Sequence, residues 1–225
     1  MLIYGHRGSS ARLPENTIAA LRGAIEDGAD GVEFDIHASR DGVPVLIHDR
    51  ELERTTNGHG QVDAQSLADL RNLDAGNGEA IPTFDEALAV IAGSLKLDVE
   101  LKQAGAEVAT LAALRGYPDA EWLISSFEWD ILRSVRAIDP DAALWPLTEG
   151  FDDDLLAVAD ELGSPGVALW FPFFNEDTAP VLRERGLKVA VWTVNDADIA
   201  RRMRDLGADV LISDDPAGIR SALAD

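Results

Sequence analysis

Short apolar runs of strand length alternate along this chain with stretches whose apolar residues recur every three to four positions, the pattern of βα units feeding a parallel sheet. The strand-like runs are Leu2 to Gly5, Val32 to Ile36, Val43 to Ile47, Lys96 to Leu101, Leu123 to Phe127, Ala143 to Leu147, Val167 to Trp170, Val189 to Val194 and Val210 to Ile212. Helical spacing marks Asn16 to Asp27, Thr83 to Ile91, Val108 to Leu114, Trp129 to Ile138, Asp153 to Leu162, Thr178 to Glu184 and Ala197 to Leu206. Thr83, directly after Pro82 and with Glu86 three residues on, reads as a capping box that opens one of these helices. The strand candidates number one more than a (β/α)8 barrel holds. The runs at Val32 and Val43 lie too close for a crossover helix and flank an Asp41-Gly42 turn signal, so the second is predicted to return as a rim hairpin that carries His48 back to the barrel mouth. Residues 49–80, punctuated by Asn57, Gly58, Gly60, Gly76, Asn77 and Gly78, read as an inserted excursion. With no internal repeat, linker or low-complexity segment, residues 1–225 are expected to form one domain.

Composition narrows the function classes. At 225 residues and 24.2 kDa, with 46% hydrophobic and 27% charged residues, the chain has the make-up of one globular core. No apolar stretch approaches the roughly 18 residues of a membrane span. Nineteen basic against 41 acidic residues give a net charge of −22, a field that repels nucleic acid and anionic lipid surfaces. A nucleic-acid partner and stable membrane association are therefore not expected. The same field opposes any anionic substrate, so a phosphate site here must build its own positive patch from a metal ion and a few bases. The absence of cysteine removes disulfides, thiolate catalysis and thiolate-bound zinc, and with no signal peptide visible it points to the cytoplasm.

Barrel chemistry gathers where strands end, and there the chain places a coherent set of ionisable residues. His6 and Arg7 close the first strand, Glu33 and Asp35 lie on the second, His48 and Asp49 end the Val43 run, and Glu100 and Lys102 end the next. Residues two apart on a strand share a face, so Glu33 and Asp35 converge while Val32, Phe34 and Ile36 take the other side, and Glu100 with Lys102 repeats that parity. Glu33, Asp35 and Glu100 at one mouth require a cation between them, and an all-oxygen set favours one divalent ion, Mg2+ or Ca2+. Asp98 shares the parity but sits one step deeper, where it is expected to pair with Lys102. His6 and His48 are placed to flank a substrate as general acid and general base, whereas His37 and His59 are expected in exposed loops. Arg7 and Lys102 can contact phosphate oxygens, or else pair with the carboxylates beside them. Trp192 can wall a pocket or pack in the core. Trp170, Phe171, Phe173 and Phe174 can pack beneath a helix or form an apolar lip.

Seven segments, in order and spanning nearly the whole chain, resemble the glycerophosphodiester phosphodiesterase family: GHRGSSARLPENT (Gly5 to Thr17), GADGVEFDIHASRDGVPVLIHD (Gly28 to Asp49), IPTFDEAL (Ile81 to Leu88), VELK (Val99 to Lys102), SSF (Ser125 to Phe127), VWTVN (Val191 to Asn195) and ISDDP (Ile212 to Pro216). That resemblance implies an α/β fold, a TIM-type (β/α)8 barrel with a small inserted segment after the second histidine. It implies hydrolysis of a small-molecule glycerophosphodiester to glycerol 3-phosphate and an alcohol. His6 and His48 would be the acid and base pair, Glu33, Asp35 and Glu100 the metal ligands, Arg7 and Lys102 the phosphate contacts and Trp192 a pocket wall. Two other functions fit the same residues: a lysophospholipase D-like activity on lysophospholipids, and a barrel that binds a phosphodiester without turning it over.

Overall fold

A computed structural model describes residues 1–224, and Asp225 lies outside the described residues. Nine strands follow in chain order: β1 (Leu2–His6), β2 (Gly31–Ala38), β3 (Pro44–Leu46), β4 (Lys96–Leu101), β5 (Trp122–Ser126), β6 (Leu144–Thr148), β7 (Gly166–Trp170), β8 (Lys188–Trp192) and β9 (Val210–Ser213). Eight of them run parallel in the order β1-β9-β8-β7-β6-β5-β4-β2 and close through a β1–β2 pairing. β3 pairs antiparallel to the end of β2, as the short Asp41-Gly42 connection predicts. The structure is thus a TIM-type (β/α)8 barrel with a hairpin on its rim.

The helices are α1 (Ile18–Glu26), α2 (Leu67–Leu70), α3 (Phe84–Ile91), α4 (Glu107–Leu114), α5 (Trp129–Ile138), α6 (Asp153–Leu162), α7 (Thr178–Glu184), α8 (Ala197–Leu206) and α9 (Pro216–Ala224). Thr83 and Glu86 form the expected capping box at α3. α1 starts two residues later than its periodicity suggests, because Thr17 is the N-cap and Asn16 is held in a left-handed conformation by contacts described below. α9, opened by Pro216, was not apparent from periodicity; its apolar positions are few, and Pro at the first position is its main signal. Among the described residues no helix is long and apolar enough to cross a membrane.

Two apolar layers hold the helices to the outside of the barrel, one around Val32, Phe34 and Ile36 and the other around Val167, Leu169 and Val191. The barrel interior has its own cluster, in which Tyr4, Trp145, Leu147, Ala168, Ala190 and Val210 meet without any helix residue. The two rings fit because they face glycines on neighbouring strands: Tyr4 lies against Gly31 and Trp145 against Gly166. The excursion between β3 and α3 carries a 3-10 turn at Val62–Ala64, the short α2 and a small core in which Leu52, Val62, Leu70 and Ile81 pack against Val45 and Ile47.

Replacing Gly166 with alanine would put a methyl carbon 2.6 Å from the Trp145 ring and 2.7 Å from the Lys188 carbonyl. Gly166→Ala is expected to cost roughly 1–3 kcal/mol by overpacking, read as a lowered urea midpoint at unchanged slope. Gly93→Ala, where nothing lies within 4 Å, serves as the control and should shift the midpoint little.

Candidate active site

Strand register assembles the site. His6 pairs with Glu33 and Glu33 with Asp98, while Asp35 pairs with Glu100 and Glu100 with Ser125. Partners in adjacent parallel strands point to one face, so the first set forms a ring inside the barrel and the second a ring nearer the mouth. Glu33, Asp35 and Glu100 are all buried, and each offers a carboxylate oxygen within 4.8 Å of the others. Glu33 Oε1 and Asp35 Oδ1 have no hydrogen-bond partner. Burial, followed by the charges of Asp35 and Glu100, pushes the Glu33 carboxyl well up. Burial and Asp35 push Glu100 up to about 7. Asp35 goes the other way: burial opposes its ionisation, but Lys102 and Arg7 more than offset that and hold it below its ordinary value. Three oxygen ligands, two with orphaned atoms, in a cluster that cannot hold three negative charges unaided fit a hard divalent cation.

The bases lie where the carboxylates need them. Lys102 Nζ sits 2.5 Å from Glu100 Oε1 and 3.6 Å from Asp35 Oδ1. Asp98 does not pair with Lys102, contrary to expectation. It lies one ring deeper and accepts a hydrogen bond from Ser125 Oγ at 2.6 Å, while burial pushes its carboxyl up to about 7. Arg7 donates from Nη1 to Glu15 at 2.9 Å, and its Nε is 3.2 Å from Asp35 Oδ2, close enough for attraction but not aligned for a hydrogen bond. Asn16 explains its own strained backbone. Its amide donates to Asp35 Oδ2 at 2.8 Å and its carbonyl accepts from the Asp35 backbone N–H, so one side chain clamps the carboxylate that both bases share.

His6 and His48 both open onto one cavity of about 150 Å3 at this mouth. His6 donates from Nδ1 to Asp214 Oδ1 at 2.6 Å, and its Nε2 lies 3.8 Å from Glu33 Oε2. Asp214 also accepts from Ser10 and Asn195; burial opposes its charge, yet the His6, Asn195 and Ser10 hydrogen bonds hold its carboxyl down to about 2. His48 donates from Nδ1 to Asp49 at 2.5 Å. Asp49 is in turn bound by Arg54, whose other donors hold Glu15, the residue that also holds Arg7. Histidine 37 is not in an exposed loop. β2 continues to Ala38, so His37 shares the inward parity of Glu33 and Asp35, is buried beneath the rim hairpin, and donates from Nε2 to the His48 carbonyl at 3.1 Å. His59 is exposed, as expected.

Trp192 lines the cavity and meets Phe127 edge-on, with ring centroids 5.4 Å apart. The aromatic cluster after β7 divides: Phe174 is buried in the outer layer, whereas Trp170 and Phe173 are 40% and 37% exposed. Sequence reasoning did not single out Asp214, Phe127 or Glu149, all of which border the site. Parity was the available signal, since each lies two residues beyond an inward-facing strand residue, Ile212, Ser125 and Leu147 respectively.

The profile of the glycerophosphoryl diester phosphodiesterase family matches residues 6–218. A glycerophosphodiester phosphodiesterase of Caldanaerobacter subterraneus subsp. tengcongensis is 33% identical over 229 residues, which cover 96% of this chain and 94% of that protein. The structure of an Oleispira antarctica phosphodiesterase in complex with the product sn-glycerol-3-phosphate superposes with a TM-score of 0.96 at 33% identity, covering 100% of this chain and 97% of that one. The Thermotoga maritima glycerophosphodiester phosphodiesterase superposes with a TM-score of 0.85 at 26% identity over 98% of this chain and 97% of that one. A match of this extent, on a barrel whose mouth carries an acidic cluster between two carboxylate-held histidines, makes the chain a member of the glycerophosphodiester phosphodiesterase family.

Proposed function

We propose that this protein hydrolyses small-molecule glycerophosphodiesters to glycerol 3-phosphate and a free alcohol, using His6 and His48 as acid and base over a metal held by Glu33, Asp35 and Glu100. The observation that carries this reading is the pair of imidazoles on one cavity, each with Nδ1 fixed by a carboxylate. A carboxylate can only accept, so each Nδ1 keeps its proton and each Nε2 is left as the atom that exchanges a proton with substrate. Glu33, Asp35 and Glu100 would hold one Mg2+ or Ca2+ ion, whose contribution there is to offset charge on the phosphoryl oxygens. Arg7 and Lys102, already facing Asp35, add positive charge on the same side.

His48 suits the base. Burial is the largest influence on its imidazole, and together with the charges of Lys102 and Arg7 it outweighs Asp35 and Asp49 and lowers the imidazole below its ordinary value. Neutral His48 therefore persists to lower pH and can take a proton from the attacking hydroxyl or water. His6 then protonates the departing alkoxide from Nε2 as the phosphorus–oxygen bond to the alcohol breaks. Asp214, which holds the Nδ1 proton, orients the ring and stabilises the imidazolium that supplies this Nε2 proton. Arg54, from the inserted segment, ties the excursion to both His48 and Arg7 through Asp49 and Glu15, which supports treating residues 1–225 as one catalytic domain. The lack of a membrane-length helix among the described residues and the net charge of −22 are in keeping with a cytoplasmic enzyme that acts on dissolved diesters.

Chelator-stripped protein is expected to release no glycerol 3-phosphate from glycerophosphocholine and to regain release when Mg2+ or Ca2+ is restored. His6→Ala and His48→Ala should each lower kcat roughly 10²- to 10⁴-fold. Full activity in both variants would remove the mechanism, and preferential turnover of lysophosphatidylcholine would move the substrate to lysophospholipids. Because the His48 imidazole is lowered, the acid limb of kcat/KM should have its midpoint below pH 6.5, the ordinary histidine value; a midpoint above it contradicts His48 as base. Asp214→Asn should lower kcat on the order of 10²-fold with KM nearly unchanged, as expected when a histidine loses its orienting carboxylate.

A further inference from the structure

We infer, on the hydrolytic reading above, that Glu149 together with Phe127 and Trp192 makes this mouth selective for diesters whose alcohol carries an ammonium charge. The barrel order sets the geometry. From β1 the chain of neighbours runs through β9, β8 and β7 to β6 in one direction, and through β2, β4 and β5 to β6 in the other, so β6 lies diametrically across the mouth from β1. His6, Glu33, Asp35, Glu100 and Lys102 all belong to the β1, β2 and β4 side. A phosphoryl group seated there must direct one of its two substituents toward the β5, β6 and β8 wall.

That wall is aromatic and acidic. Phe127 follows β5, Trp192 ends β8, and their rings meet at 88°. Glu149, just past β6, lines the same cavity and makes no hydrogen bond or ion pair among the described residues. The other acidic side chains of the cavity are already engaged: Glu100 with Lys102, Asp98 with Ser125, and Glu33 with the Arg7 backbone N–H. Phe127 already faces Lys102, whose Nζ lies 5.5 Å from its ring centroid, and packs edge-on against Trp192, so a substrate cation is met by the Trp192 ring and the unpaired Glu149 carboxylate and gains from quadrupole and charge alike. A neutral polyol gains only hydrogen bonds, and an anionic alcohol is repelled.

The whole-molecule charge acts in the same sense. At a net charge of −22 the protein repels a diester that carries only its phosphate charge, whereas one with an added ammonium is neutral overall and approaches without that penalty. Glu149 itself is exposed, so its replacement leaves the core intact.

The test compares kcat/KM for glycerophosphocholine and glycerophosphoinositol, read as glycerol 3-phosphate release at fixed ionic strength and saturating metal. The wild-type protein should favour the choline diester, and Glu149→Gln should lower the choline-to-inositol ratio roughly fivefold, the scale of a partly exposed cation contact. Glu149→Lys should lower it further. A ratio unchanged in both variants, with the enzyme active, overturns the selectivity and leaves the hydrolytic reading standing. No release from either diester by the wild-type protein overturns the hydrolytic reading beneath it.

Discussion

Three carboxylates are buried against one another at the mouth of this barrel, and most of the surrounding structure answers the cost of putting them there. Carboxylate oxygens within 4.8 Å of each other repel by at least about 3 kcal/mol per ionised pair at an effective dielectric near 20. Summed over the cluster, that approaches the whole stability of an ordinary domain. The chain responds in graded fashion. Asp35, between Lys102, Arg7 and the Asn16 amide, keeps its charge, while Glu33 and Glu100 are driven toward the neutral form. A cation bound among them would let all three ionise together. The same arrangement that burdens the fold is thus one that could hold a cation.

The inserted segment enters this electrostatic scheme rather than standing apart from it. Arg54 binds Asp49 and Glu15 at once, Glu15 reaches Arg7, and Asp49 reaches His48. His48, just past the rim hairpin, and the Arg7 guanidinium beside β1 are therefore both held, through Asp49 and Glu15, by one arginine from outside the barrel. Arginine suits this place because its planar fork can hold two carboxylates at once, which a lysine ammonium cannot do with the same geometry. The excursion's own core of Leu52, Val62, Leu70 and Ile81 gives that arginine a fixed base.

Much of this was legible in sequence because barrels convert parity into position. Glu33 with Asp35 and Glu100 with Lys102 could be placed on shared faces from two-residue spacing, His6 at the mouth from its strand end, and the surplus strand at Val43 could be recognised as a hairpin from the length of its connection. What stayed hidden depended on contacts distant in sequence or on where a strand stops. Asp214 meets His6 across 208 residues, joined only when β9 closes on β1. His37 resembled a loop residue because the apolar run ends at Ile36, yet the returning hairpin extends β2 and buries it. Asp98 was assigned to Lys102 on parity, but ring depth decided its partner, and Ser125 on the next strand was nearer.

Ring depth also separates structure from chemistry within the barrel. Tyr4 and Trp145 fill the lower interior because Gly31 and Gly166 give up their side-chain volume, and the two rings lie beneath the acidic ring. Burial is the leading cause of the upward shift in both Glu33 and Asp98, which face this interior. Packing in the lower barrel and charge at its mouth are two consequences of one strand register: two residues along the inward face, Tyr4 gives way to His6 on β1 and Gly31 to Glu33 and Asp35 on β2, beside Asp98 and Glu100 on β4.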